Sequence, residues 1–183
     1  MRWGTVRKPR ALREAGFTLI ELTVSFGALL IVLLGFSRVL ISSRMAANTN
    51  YEATLAKEAA RSMVEVLQAS SFSEIYATYN ADPQDDPNGA GSAAGAAFDV
   101  RGLEAPIGDA DGRPGQILFP ELNGELSENL NLPQYGWVNL DLNGDGDHDD
   151  ANVSADYRFL PVVVRVSWSG PGTIEFKTLI ANF

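Results

Sequence analysis

The chain has 183 residues, 45% of them hydrophobic, no cysteine and a formal charge of −9. That length is enough for one small folded domain beside a membrane segment, and the lack of cysteine excludes disulfides, thiolate metal sites and cysteine nucleophiles. The acidic balance disfavours a nucleic-acid partner, because phosphates would be repelled rather than neutralised.

A short basic segment comes first, with Arg2, Arg7, Lys8, Arg10 and Arg13 against the single acid Glu14. Ala15-Gly16-Phe17-Thr18-Leu19-Ile20-Glu21-Leu22-Thr23-Val24 then leads into an apolar run that continues to Ile41. From Phe17 to Ile41 there are 25 residues and only two ionisable side chains, Glu21 and Arg38. About 20 such residues in a helix span the hydrocarbon core of a bilayer. The basic flank predicts a cytoplasmic N-terminus. A carboxylate within such a helix costs a few kcal/mol on insertion scales and is a functional hypothesis by default. The other reading of Glu21 is that it lies at the interface and complements the helix N-terminus.

Gly16-Phe17-Thr18-Leu19-Ile20-Glu21, behind a basic leader and ahead of an unbroken apolar helix, resembles the processing signal of type IV prepilins and type II secretion pseudopilins. An ordinary secretory signal carries its apolar region before the cleavage site and loses it. The resemblance implies cleavage after Gly16 by a prepilin peptidase, which then methylates the new amino terminus at Phe17. It also implies a role for Glu21 in filament assembly, pairing with the terminal ammonium of a neighbouring subunit. Opposite charges in a low-dielectric setting attract strongly, and an unpaired one is costly there. Glycine at the cut lacks Cβ and allows close approach to the backbone. Removing the leader's five basic residues and one acid leaves 9 basic and 22 acidic residues, a net charge of −13. Such a chain would tolerate a divalent cation.

Beyond Ile41 the helix is predicted to continue, since 42–69 contains neither Pro nor Gly. Tyr51, Leu55, Ala59, Met63 and Val66/Leu67 recur at helical spacing as a core-facing stripe, opposite Asn48, Glu52, Lys57, Arg61 and Glu65. This gives an assembly and transmembrane half, 17–41, and an amphipathic half, 42–70, that docks on a head domain, 71–183. Arg38 occupies a region where major pilins often have a helix-breaking proline. It either snorkels to the outer interface or meets a partner carboxylate in a fibre.

From Ser70 the helical pattern breaks. Residues 72–79 fit a short helical turn or an extended piece. Residues 80–97, rich in Gly, Ala, Pro and Asp, have the composition of a mobile loop with little to bury. Phe98–Leu103 alternates like a strand. Asp109–Gly115 is turn-like, with a weak Asp-x-Asp-Gly cation pattern. Gln116–Phe119 is a short strand, and Leu126–Leu132 is ambiguous between loop and a short irregular element.

The second strong signal is Asp141-Leu-Asn143-Gly-Asp145-Gly146-Asp147-His148-Asp149-Asp150-Ala-Asn152. Oxygen-bearing side chains at alternating positions, with glycine at the sixth, match the start of a calcium loop. The predicted ligands are Asp141, Asn143, Asp145, Asp147 (through its carbonyl) and Asp149 (through water). Calcium takes six to eight oxygens, and the bidentate Glu expected at the twelfth position is replaced by Asn152; Asp150 or Asp156 would compensate. No amphipathic helices flank the loop, so an EF-hand domain is excluded. The alternative is a solvated acidic turn. His148, the sole histidine, reads as an exposed loop residue.

Tyr157–Trp168 and Thr173–Ile180 read as two strands around Ser-Gly-Pro-Gly, rich in β-branched and aromatic residues. Pro161 suggests a bulge or edge. Gln134–Leu140 suggests a further strand running into the acidic loop. The Val-x-Val-Ser-Trp strand, Gly/Pro turn and terminal strand look like PilV-type minor pilins. Many pilins close this region with a disulfide, which this chain cannot form.

The expected fold is therefore α+β and pilin-like: a long N-terminal helix, its first half transmembrane, packed on a small antiparallel sheet. No Gly-x-Ser-x-Gly elbow, phosphate-binding glycine loop or His-Glu-x-x-His motif is present, so no enzyme is expected. The expected function is that of a minor pilin in type IV pilus assembly, as a priming, tip or minor filament subunit. The alternatives are a minor pseudopilin of type II secretion and a membrane-anchored calcium-dependent adhesive module. Expected partners are a prepilin peptidase, other pilins and an inner-membrane assembly platform. The expected location is the bacterial inner membrane with the head periplasmic, then the cell-surface pilus.

Overall fold

The structure is a computed structural model that describes residues 16–170 and 172–182. The basic leader proposed for 1–16 therefore lies, apart from Gly16, outside the described residues. The chain divides into two compact units, 1–47 and 48–183. One helix, α1 (Leu19–Ala69), contributes to both.

In the first unit α1 is apolar nearly all round. Leu19, Ile20, Leu22, Val24, Phe26, Ile31, Val32, Leu34, Phe36 and Val39 are all exposed. Within α1 the chain is long and apolar enough to cross a membrane or to act as a signal sequence. Ser37 lies on this stretch with its hydroxyl donating back to the Leu33 carbonyl at 2.9 Å, which satisfies that hydroxyl within the helix.

The second unit is α+β. It holds α1 from Asn48 onward, α2 (Phe72–Tyr79), and a sheet of β1 (Ala97–Phe98), β2 (Gly115–Leu118), β7 (Phe159–Ser167) and β8 (Thr173–Ala181). Two small hairpins lie between β2 and β7: β3 (Glu121–Leu122) with β4 (Glu125–Leu126), and β5 (Asn131–Leu132) with β6 (Trp137–Val138). The four-stranded sheet is antiparallel throughout, in the order β1-β2-β7-β8.

One face of this sheet forms the core. On β7, Leu160, Val162, Val164 and Val166 alternate inward, opposite Ile180, Thr178, Phe176 and Ile174 of β8. Ile117 of β2 joins them across from Val164. The docked part of α1 supplies Ala56, Ala60 and Leu67, all fully buried, with Ala53, Ala59, Met63 and Val64 partly buried beside them. Of the predicted stripe, Leu67 is buried and Leu55, Ala59 and Met63 are half-buried, whereas Tyr51 and Val66 are exposed and Ala53, Ala56 and Ala60 make up the rest of the docked face. The physical reason is size. Alanines at 53, 56 and 60 let the helix backbone come close to the sheet, whereas Tyr51 on that face would hold it off.

The second face is covered by the β5–β6 turn. The Tyr135 ring lies under the Arg165 guanidinium at 5.4 Å and near Lys177 at 5.8 Å. Lys177 donates to the Gln134 carbonyl, and Arg165 bridges Glu175 at 2.9 Å.

Residues 72–79 are helical, and Phe98–Leu103 yields only the two-residue β1 before a turn. The 80–97 segment is folded on itself by turn hydrogen bonds, among them Asn80 Nδ2 to Asp85 at 2.7 Å and the Ala93 N–H to Asp86 at 3.0 Å. Of the predicted 134–140 strand, only Trp137–Val138 pairs.

Candidate functional site

Two features carry chemistry, one in each unit. At the N-terminal motif, Gly16 and Phe17 are exposed and precede the helix. The Thr18 hydroxyl accepts the Glu21 backbone N–H at 3.3 Å, the side-chain half of a Thr-x-x-Glu capping arrangement. Glu21 therefore stands in the first turn of α1, where the helix dipole favours a negative charge. No ion pair involves Glu21 among the described residues.

The acidic loop lies between β6 and β7, and its two ends are fastened before its carboxylates are placed. Leu142 and Val153 are each 1% exposed and pin the ends into the core. The Leu142 carbonyl accepts the N–H groups of Arg158 and Phe159, at 2.7 and 2.9 Å, which joins the start of the loop to the start of β7. The Val153 N–H reaches the Leu126 carbonyl at 2.8 Å, and the Glu128 N–H reaches the Asp150 carbonyl at 3.0 Å. The Ser127 hydroxyl donates to that same carbonyl at 3.1 Å. Segment 126–128 thus lies along 150–153 as a second wall.

Inside these walls the loop winds through side-chain-capped turns. Asp141 accepts the N–H groups of Gly144 (2.6 Å) and Gly146 (3.1 Å). Asn143 accepts the Asp145 N–H at 3.0 Å, and Asp145 accepts that of Asp147 at 3.1 Å. Gly144 and Gly146 have φ of 80° and 98°, a region disfavoured for residues with Cβ. The coil turns carboxylates inward. Carboxylate oxygens of Glu128, Asp145, Asp147 and Asp150 all lie within 4.8 Å of one another, a group able to hold a metal ion. Opposite ligands on a calcium ion are spaced by about twice 2.3–2.6 Å, so the grouping suits such an ion.

Glu128 is the unusual member. It is 1% exposed, a burial that a carboxylate tolerates only when paired or hydrogen-bonded. Oε1 accepts the N–H groups of Leu142 (2.6 Å) and Asn143 (3.2 Å), whereas Oε2 is buried with no hydrogen-bond partner. Burial raises the Glu128 carboxyl above its ordinary range; the two N–H bonds act against this, and the Asp150 and Asp141 charges add to the rise. Asp147 is raised as well: the Asp149 N–H lowers it, but desolvation and the charges of Asp145, Asp149 and Asp150 prevail. None of the ion pairs among the described residues includes a loop carboxylate.

Of the sequence-predicted ligands, Asp145 stands in the group, and Asp147 does so through its side-chain carboxylate and not through the predicted backbone carbonyl. Asp141 spends both oxygens on backbone N–H groups. Asn143 directs its amide at Asp145 (3.2 Å) and Asp150 (3.0 Å), which orients two of the four carboxylates. Asp149 lies outside the group, and Asp150, which the sequence offered as a substitute ligand, lies within it. Glu128 was missed, because nothing in Leu126–Leu132 marks it as a ligand 13 residues before Asp141. A partial signal exists in Asn123-Gly124, the two-residue hairpin turn, with φ of 57° and 85°, that returns the chain through β4 towards the loop. Comparison of the chain with protein-family models, with curated proteins and with solved structures found no match.

Proposed function

We propose that the chain is a minor pilin, a subunit processed after Gly16 and built through its helix into a type IV pilus. The observation that carries this reading is the first part of α1, a continuous apolar surface interrupted near its start by Glu21 and near its end by Arg38. So large an exposed apolar surface calls for lipid or protein to cover it. A plain membrane anchor has no need of the carboxylate, whereas a filament subunit has one, to receive the amino terminus of a neighbour. The α+β head, with α1 from Asn48 docked on an antiparallel sheet, supports the same reading. A minor pseudopilin of a type II secretion system would share every one of these features, and genomic neighbours distinguish the two.

In this reading the partners are a prepilin peptidase, other pilins and an inner-membrane assembly platform, and the protein works by assembly rather than catalysis. The precursor sits in the inner membrane with its head periplasmic and moves to the pilus on assembly. The ion taken by the acidic centre is calcium: the donors are all oxygen, mostly anionic, and carried on a coil of turns, which suits an ion tolerant of irregular coordination. That centre also favours a second reading, a membrane-anchored calcium-dependent adhesive module.

Mass spectrometry of the mature chain separates these readings. A methylated Phe17 terminus is expected for the pilin, and an intact Met1 terminus would leave only the anchored module. Glu21→Ala should be cleaved and folded normally yet be absent from sheared filaments; normal incorporation of that variant would refute the assembly role.

A further inference from the structure

We infer that Glu128 is a direct ligand of the ion and that the occupied centre is a clasp joining segment 126–128 to the loop that leads into β7. The inference rests on the reading that the centre takes calcium and goes on to assign its anchor. An acidic loop alone would not justify it. The independent observation is the Glu128 side chain, 1% exposed, with Oε2 buried and unpartnered. A carboxylate oxygen in the group shared with Asp145, Asp147 and Asp150 is within reach of one ion. A buried carboxylate without a counter-charge is strongly unfavourable, and the ion pairs among the described residues supply none here. A divalent cation supplies the missing charge. The N–H groups of Leu142 and Asn143 both bond Oε1 and so hold the carboxylate in place beside the group.

Glu128 thereby takes the place of the acidic residue that the loop lacks at Asn152, but from a different stretch of chain. Asn143 is a positioning residue that holds Asp145 and Asp150, and Asp141 shapes the coil. Because the ligands come from both walls, binding would tie Leu142, and through its carbonyl the first residues of β7, to the β4 side of the head.

The test uses the full chain in detergent micelles, stripped with chelator and titrated with calcium chloride by calorimetry, with thermal melts in chelator and in millimolar calcium. Glu128→Gln keeps an acceptor for the Leu142 and Asn143 N–H groups but removes the charge, and Glu58→Gln, at an exposed position of α1 outside the loop, serves as the control. The wild type should bind calcium and melt higher in its presence. Glu128→Gln should lose more than about tenfold in affinity and all of the calcium-dependent shift, while melting no lower than the wild type in chelator. Glu58→Gln should stay within about threefold of the wild type, a loss small against the tenfold or more expected at the ion site. A merely structural glutamate would lower the melting temperature equally with and without calcium, and that result would overturn the clasp. Binding by Glu128→Gln within twofold of the wild type would also overturn it, while leaving the calcium reading in place. No binding by the wild type at millimolar calcium, where weak extracellular sites fill, would remove both.

Discussion

Single side chains decide stability here through two opposite effects, apolar filling and the burial of charge. Leu67 is fully buried where α1 meets the sheet. Leu67→Ala should cost about 2–5 kcal/mol, read by chemical denaturation of the full chain in detergent; a cost below 1 kcal/mol would mean that the docked face is wrongly assigned. Glu121 shows the other effect. Burial raises its carboxyl above the usual 4.5, a hydrogen bond with Tyr76 acts against this, and the Asp85 charge adds to the rise. A raised folded-state value means that the native chain holds its proton more tightly than the unfolded one. Glu121 therefore favours folding below pH 4.5, and that contribution is lost as pH rises through the folded value. Glu121→Gln should be more stable than the wild type at neutral pH and show a flatter stability profile between about pH 4 and 7. An unchanged profile would contradict the cause assigned to the shift.

At the scale of elements, the β7–β8 pair is the spine of the head, and its tight turn governs how the edge is held. Nine residues of each strand are in register, from Phe159 opposite Ala181 to Ser167 opposite Thr173. Trp168 follows β7, is 4% exposed, and donates its indole N–H to Glu52 of α1 at 3.2 Å. Gly172 lies directly against that indole: a Cβ there would stand 2.1 Å from two ring atoms. Gly172→Ala should therefore push the ring from its seat and cost about 1–3 kcal/mol, with a red shift of tryptophan emission as the indole meets water. Unchanged emission would show that the turn yields instead of the ring. Gly115 has the same relation to Phe98, at 2.4 Å, which keeps β1 close on the opposite edge. The hairpins between β2 and β7 do a different task. Trp137 and Tyr135 lie near each other, with ring centroids 4.9 Å apart, and Tyr135 bonds Arg165 on the outer sheet face.

For the molecule as a whole, the contrast is between a unit with a core and one without. The second unit has an internal core of apolar side chains, while the large apolar residues from Phe17 to Ile41 stand exposed. The full chain should accordingly resist extraction from membranes by high salt or alkaline carbonate and need detergent; release by carbonate would argue against a spanning helix. A ligand that binds only the folded state stabilises it by mass action, about 2.7 kcal/mol at a hundred times the dissociation constant. Calcium should thus raise the melting temperature of the full chain relative to a chelated sample. An unchanged melting temperature in millimolar calcium would mean that the folded chain does not bind calcium at this centre.

Everything written in near neighbours was legible in the order of residues alone. The apolar helix, the Gly16-to-Glu21 motif, the strands on either side of Ser169-Gly170 and the acidic repeat of 141–150 are local patterns, set by periodicity, turn chemistry and charge spacing. Folding settled what depends on residues far apart in the chain. It chose which face of α1 docks, because alanines permit an approach that Tyr51 does not, and no single-helix pattern reveals the surface on the other side. It set Glu128 beside Asp145, Asp147 and Asp150, because backbone bonds between 126–128 and 150–153 close the cluster. A glutamate in an undistinguished segment becomes a metal-ligand candidate only when folding buries it and leaves one oxygen without a partner.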